Sequence, residues 1–381
     1  MKAIFDKQEL LSAIIPASGS VSQKNTIELL QGISLQCSEN GKCTVTAYDL
    51  EKGFRKEIEV AVDKGGHYII DAVQLVQTVR VLPSGFVTIE INDKNIAKIY
   101  SGKREFELHA LPGDDYPLMP EFDGDIAFSI RSGILKDMIK RTQFAISQDT
   151  SRPELCGTYF DIDGETITVV TCDSNRLAKI TTVNEYEGHE NVKNSFIIPG
   201  RTINELLRLL PADDEEQVSV KMTRKHIIFF IDDVIFFSRL IEHSYIDYNR
   251  FLPENCITKV YLDKDSFLES LESASLVTED RTMGQSRSSL RLSFGDSMLR
   301  ISSSSVFRRV YDEIYTKQEG DNIDIGFNCR FLIDALRGCD SERILIRLRK
   351  PREGIIIEDG TEDLEGPSSF KFLVMPVQLN Q

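Results

Sequence analysis

The sequence predicts an α+β protein made of three copies of one domain, each copy two helices packed on two antiparallel sheets. Two repeated patterns carry the prediction. The segment Phe5-Asp6-Lys7-Gln8-Glu9-Leu10-Leu11 is echoed by Ile130-Arg131-Ser132-Gly133-Ile134-Leu135-Lys136 and by Leu262-Asp263-Lys264-Asp265-Ser266-Phe267-Leu268. In this register Phe5, Ile130 and Leu262 correspond, as do Leu10, Leu135 and Phe267. Further on, Ile14/Ile139/Leu271 and Ala17/Thr142/Ala274 keep one helical face small or apolar. The period is about 125–130 residues, far too long for a solenoid unit and right for a whole domain.

Each copy opens with a short apolar strand, a turn holding Asp or Ser, and an amphipathic helix. A second strand and helix follow. Tyr68-Ile69-Ile70-Asp71 leads into a helix over 73–82, Phe196-Ile197-Ile198-Pro199 into 202–210, and Ile325-Gly326-Phe327-Asn328 into 331–336. Apolar residues then recur at helical spacing, as Leu75/Val79/Leu82, Ile203/Leu207/Leu210 and Leu332/Leu336/Cys339. Strands come next: Val87-Thr88-Ile89-Glu90-Ile91, Val218-Ser219-Val220-Lys221-Met222 and Ile344-Leu345-Ile346-Arg347-Leu348. They alternate apolar and polar side chains as half-buried antiparallel strands do. Asp115-Tyr116 and Asp247-Tyr248 mark the first two exits. The domains are expected at 1–122, 128–253 and 258–381.

Composition narrows the class. With 381 residues and 41% hydrophobic content the chain can bury several cores. No apolar run approaches a membrane span, and Met1–Asp6 lacks the apolar core of a signal peptide, so a cytoplasmic protein without membrane contact is expected. The seven cysteines form an odd set without a CxxC pair, which predicts reduced thiols. No phosphate-binding glycine loop occurs, and five scattered histidines offer no metal-ligand spacing, so no cofactor or metal is expected. Cys172-Asp173 is the one tempting nucleophile pair, but it ends an apolar strand with no histidine nearby to act as base. No catalytic residue is nominated.

The net charge of −15 counts against nucleic acid at first sight. A closed ring answers the objection. Copies placed side by side form an arc, and two arcs joined head to tail close into six domains. Twelve helices, each about 10 Å wide, would line a circumference of about 120 Å. The hole would be about 30 Å across, room for a duplex whose grooves are about 8 Å deep. Such a ring holds by topology, so weak phosphate contacts suffice and only the inner face must be basic. Inner-face candidates are Lys24, Arg80, Lys136, Lys140, Arg152, Arg201, Arg208, Arg330 and Arg337.

Four motifs then carry a resemblance. Gln143–Gly157, with its Ser151-Arg152-Pro153-Glu154-Leu155-Cys156-Gly157, is one. Thr171-Cys172-Asp173-Ser174-Asn175-Arg176-Leu177-Ala178 is the second. Asp247-Tyr248-Asn249-Arg250-Phe251-Leu252-Pro253 and Leu373-Val374-Met375-Pro376-Val377-Gln378-Leu379 complete the set. The chain resembles, in register over its whole length, the bacterial sliding clamps, the beta subunit of DNA polymerase III. The resemblance implies three DNA-clamp domains forming half of a six-domain homodimeric ring around double-stranded DNA. It also implies partners: the DNA polymerase III alpha subunit, the clamp loader and other clamp-binding replication and repair proteins.

Those partners insert short peptides into a cleft between the second and third domains. Carried over by position, the cleft would use Leu155, Thr171, Cys172, Ser174, Asn175, Arg176 and Leu177 from the second domain and Ile246, Arg250 and Phe251 from its exit. The third domain would add Asn328, Phe331, Gly354, Val374, Met375, Pro376 and Val377. Leu155, Leu177, Phe251, Val374 and Met375 suit an adaptable apolar pocket, with Arg176 and Arg250 on a polar rim. The ring interface would pair Phe106 and Leu108 with Leu276 and Val277. The sequence departs from the family at several places: Cys172 stands for a threonine, Asn175 for a ring side chain, Ile246 for a proline and Gln378 for an arginine. The chain runs on through Asn380-Gln381, with extra residues around Arg281–Ser288 and Lys350–Glu353. An altered peptide preference is expected. Two other readings stay open here: an enzyme centred on Cys172 and Asp173, and a scaffold ring without DNA.

Overall fold

A computed structural model of the chain describes residues 1–22, 26–120, 128–184, 193–253, 255–278, 289–305, 307–350, 352–360 and 368–379. Among them are six α-helices: α1 (Lys7–Ser18), α2 (Ala72–Val81), α3 (Ser132–Thr142), α4 (Gly200–Leu209), α5 (Lys264–Thr278) and α6 (Cys329–Arg337). They fall two to a repeat, as the periodicity predicts. The turn aspartates work as N-caps. Asp6 accepts from the Gln8 and Glu9 amides at 2.8 and 3.0 Å, Asp71 from Gln74 at 2.8 Å, and Asp263 from Ser266 at 2.7 Å. Ser132 differs: it lies inside α3, and its hydroxyl points to the Pro211 carbonyl at 3.5 Å.

The described chain forms two compact units, and the middle repeat contributes to both. The first comprises Met1–Gly133 and Arg201–Leu240. A single thirteen-stranded sheet runs through it, from Phe128–Arg131 at one end to Ala61–Lys64 at the other. Its two halves join where Val234–Arg239 pairs antiparallel with Lys52–Glu59, placing Phe236 opposite Phe54. Both rings are fully buried, and each contributes about 2–3 kcal/mol by leaving water. Strand Phe86–Ile91 shows the expected alternation, with Val87, Ile89 and Ile91 inward. Helices α1 and α2 pack on one another over a core that includes Phe5, Leu10, Ile14, Leu75 and Val79.

The second unit comprises Ile134–Gly200 and Ile241–Gln381. It holds a nine-stranded sheet, from Lys193–Pro199 to Lys317–Glu319, and a four-stranded sheet, from Arg309–Tyr315 to Ile323–Phe327. Arg176–Val183 pairs with Ser368–Val374, setting Leu177 opposite Leu373 and Ile180 opposite Phe370. Helix α5 packs on α6 and on the strands Met298–Ser304 and Arg309–Tyr315. All named strand pairs are antiparallel, so the fold is α+β as predicted. Of the seven cysteines, none is in a disulfide, five are buried, and Cys156 and Cys256 are half-buried.

Candidate functional site

Three features of the two units bear on function. The first lies in the second unit, where Thr166–Cys172 turns into Arg176–Val183. Asp173 shapes the turn: its Oδ1 accepts from the amides of Asn175 and Arg176 at 3.0 and 3.1 Å. Ser174 takes a left-handed φ of 76° and, like Asn175, is exposed. Below the turn Leu155, Val170, Cys172, Leu177, Ile356 and Leu373 form a buried apolar cluster. The chain's own exit segment covers it. Tyr245, Ile246, Tyr248 and Leu252 pack on the cluster, and the Tyr245 ring stacks flat on Tyr159 at 4.7 Å.

The structure therefore sorts the expected cleft residues into layers. Leu155, Leu177 and Val374 are floor, buried almost completely. Thr171 is an internal strut whose hydroxyl donates to the Thr142 carbonyl at 2.6 Å. Phe251 is 54% exposed, and Met375 and Val377 close to 40%, so these three present apolar surface. Ile246 and Pro376 are half-buried. The C-terminal segment is tied down by the Met375 amide donating to Asn175 O and the Val377 amide to Gly326 O, both at 2.8 Å. A side chain at Gly326 would lie 2.7 Å from the Val377 carbonyl oxygen, so glycine is required for this approach.

The polar groups hold two surprises. Arg176, expected on the rim, is engaged by its neighbours. Its Nε bonds Asp173 at 2.9 Å, its Nη1 bonds Asp334 at 2.7 Å, and its guanidinium lies over the Phe331 and Phe144 rings. Arg152, expected to face DNA, donates to Ser174 Oγ at 3.1 Å, pairs with Glu154 at 3.5 Å and keeps an exposed side chain. Arg250 is exposed beside Asp247 at 2.7 Å. Asn328 uses its side-chain oxygen to cap α6 through the Arg330 amide. Burial pushes the Cys172 thiol above its ordinary pKa, the opposite of what a nucleophile needs. Among the described residues no cluster of His, Cys, Asp and Glu could hold a metal.

The second feature is a pair of open strand edges. In the first unit Arg104–Pro112 pairs with Ile96–Ser101 along residues 104–109, while only residues 110–112 also pair with Gly66–Asp71. Phe106 and Leu108 lie on this edge, half-buried against the unit's core. In the second unit Arg309–Tyr315 ends the four-stranded sheet. Leu276 is 68% exposed nearby, and Arg308 donates to its carbonyl at 3.1 Å. Val277 turns into the core instead. Phe307, Tyr311 and Tyr315 are strongly exposed and were not anticipated. The available signal was Tyr311 and Tyr315 sharing strand parity with charged Arg309 and Glu313, an apolar stripe on an outward face.

The third feature is the set of helix cations. Arg80, Arg201 and Arg208 are exposed on α2 and α4 in the first unit; Lys140, Arg330 and Arg337 are exposed on α3 and α6 in the second. Lys136 is half-buried, and Lys24 lies outside the described residues. Arg208 pairs with Glu205 at 2.9 Å and Arg337 with Glu272 at 2.8 Å. The outward face of α5 is acidic, with Asp265, Glu269 and Glu272. No helix of the described chain is long and apolar enough to cross a membrane.

Repeated two-helix units on antiparallel sheets, with open strand edges, define a clamp-type fold, and its buried Cys172 lacks the activation a nucleophile needs. Comparison with known proteins specifies it. Residues 1–120, 129–247 and 249–378 match, in order, the N-terminal, central and C-terminal domains of the DNA polymerase III beta subunit. A beta sliding clamp of Halalkalibacterium halodurans is 30% identical over 358 residues, covering 91% of this chain and 92% of that protein. One from Bacillus subtilis is 27% identical over 387 residues, covering 99% and 100%. The crystal structure of the Bacillus subtilis sliding clamp superposes with a TM-score of 0.91 at 26% identity, over the full length of both chains. That of a putative DNA polymerase III beta subunit from Eubacterium rectale gives 0.89 at 27%, again over both full lengths. The chain belongs to the DNA polymerase III beta subunit family, the beta sliding clamps, non-catalytic processivity factors of DNA replication.

Proposed function

We propose that two copies of the chain close head to tail into a six-domain ring around double-stranded DNA, and that the ring tethers its partners by short peptides. The observation that carries the ring is the pair of open edges. Residues 104–109 offer unpaired backbone with Phe106 and Leu108; Arg309–Tyr315 offers the same with Tyr311, Tyr315 and nearby Leu276. An exposed edge with apolar side chains invites strand pairing with another chain. Joining the first edge of one copy to the second edge of the other leaves neither exposed, and two copies complete the circuit. The domains would be 1–122, 128–253 and 258–381.

Duplex DNA would pass along the helices, touched by Lys24, Arg80, Lys136, Lys140, Arg201, Arg208 and Arg337. The acid partners of Arg208 and Arg337 and the acidic face of α5 favour weak, sliding contact. The peptide cleft would present Phe251, Met375 and Val377 to an apolar anchor, with Leu155, Leu177 and Val374 as floor and Arg152 and Arg250 beside it. The family points to the polymerase III alpha subunit, the clamp loader and repair proteins as owners of such peptides.

Sedimentation equilibrium of the full chain tests the ring. The expected mass is twice the 43.2 kDa of one chain, and Phe106→Glu with Leu108→Glu is expected to shift it to the monomer. A wild-type monomer at micromolar concentration would overturn the ring. Retention tests the DNA role: a ring loaded on a closed circle should stay while one on a linear duplex slides off. Equal retention on both would favour a scaffold without DNA.

A further inference from the structure

The first unit carries another concave site, apart from the edge and the helix faces. Strands Lys52–Glu59, Lys42–Tyr48, Gly32–Ser38 and Gly66–Asp71 lie side by side, with Phe54, Val45, Leu35 and Ile70 turned into the core. Side chains alternate along a strand, so the opposite face carries two polar rows. One row runs His67, Gln36, Thr44, Glu57, each directly opposite the next; the other runs Ser34, Thr46, Arg55, Ile235. Residues 116–119 close over them and leave a cavity of 460 Å³, a size typical of small-molecule sites. A side chain at Gly113 would lie 2.3 Å from the His67 ring, so glycine lets the chain cross there.

The charged groups of this cavity are already matched. Lys42 holds Glu57, Lys56 lies 3.2 Å from Asp233, and Arg55 is itself engaged. His67 Nε2 lies 2.7 Å from Ser34 Oγ. Burial holds the His67 pKa below its ordinary value despite Asp114, so the ring is neutral at pH 7. The unmatched groups are uncharged. Gln36, Thr44 and Thr46 have no side-chain hydrogen bond among the described residues. The Tyr116 hydroxyl is buried beneath this face, and its ring packs in the core that includes Tyr48 and Met119.

We infer that this cavity is a binding site for an uncharged nucleoside. A flat heterocycle presents apolar faces and a rim of donors and acceptors. Ile235, Pro117 and Met119 supply apolar wall. Gln36 offers an amide donor beside an acceptor, and Thr44 and Thr46 offer hydroxyls that serve as either. A charged ligand would have to break the existing ion pairs; a neutral one uses what they leave. The inference rests on the first unit alone and stands or falls apart from the ring.

Titration calorimetry of the full chain with adenosine, guanosine, cytidine and thymidine tests it, with glucose and inorganic phosphate as controls. At least one nucleoside should bind with a Kd of about 1 mM or tighter. The Thr44→Val/Thr46→Val variant should weaken it about tenfold with Tm unchanged. Gln36→Ala, at an exposed position, gives the same reading if the valine variant is unstable. No saturation by any nucleoside, equal binding of glucose or phosphate, or unchanged affinity in both variants would overturn the site.

Discussion

Arg176 bonds Asp334 of α6 at 2.7 Å while its guanidinium lies 4.4 Å from the Phe331 ring. One side chain thus joins the Asp173 turn to α6 and leaves a charge nearly out of water. Removing one partner of such a pair is costly because the other stays behind, unmatched. Arg176→Ala is expected to lower stability by about 2–4 kcal/mol, read from urea unfolding. Arg176→Lys should restore little of it, because an ammonium can neither fork to Asp173 and Asp334 nor stack as a plane. A loss below about 1 kcal/mol would mean the pair behaves like a surface bridge.

Neighbouring residues at the end of α5 should separate assembly from folding. Leu276 is exposed and Val277 is buried. Leu276→Asp is expected to weaken self-association with little change in the stability of the monomer. Val277→Asp puts a carboxylate into an apolar core and should cost about 3 kcal/mol or more, seen as a lower Tm. If both variants change the dimer equally and leave Tm alone, Leu276 does not mark the interface.

The same two residues show how far the sequence could be read. The repeat made α5 legible because Phe267, Leu271 and Ala274 keep a helical apolar face that matches Leu10, Ile14 and Ala17. Sequence spacing could not say that Val277 closes this face while Leu276 leaves it, since that depends on the strands α5 packs against. The proposed cleft reads in the sequence as one set of residues, and only burial divides that set into layers. Arg176 reads as a rim cation until Asp334, 158 positions away, is brought beside it by strand pairing. Tyr245 gives no local signal for the same reason: it lies outside any strand, and its stacking partner Tyr159 sits far off in the chain in strand Gly157–Asp163. Local pattern carries helices and strands; long-range register decides which side chains remain available.

Thiol reactivity follows from burial. Burial raises the pKa of Cys172 and Cys339, and contact with Cys37 raises that of Cys43, so these thiols are protonated and shielded at pH 8. Cys156 and Cys256 are the half-buried pair. Iodoacetamide at pH 8 followed by peptide mass spectrometry should modify Cys156 and Cys256 first, and slowly, since burial raises both. The other five should react only on unfolding. Early modification of Cys172 in the native protein would reopen the reading of it as a nucleophile.

The caps set an acid limit on α5. Hydrogen bonds from Ser266, side chain and amide, hold the Asp263 pKa below its ordinary value. A carboxylate lowered in the folded state favours folding above its unfolded pKa of about 3.9. That contribution disappears as pH falls through the lower folded value, where the cap takes up its proton. Asp263→Ala should therefore lower Tm by a constant amount from pH 7 down to about pH 4, and the gap should narrow below that. Because α5 carries Leu276 at its far end, the proposed dimer should also weaken over the same acid range. A gap that persists unchanged to pH 2.5 would show that the alanine acts through packing and not through the lost carboxylate.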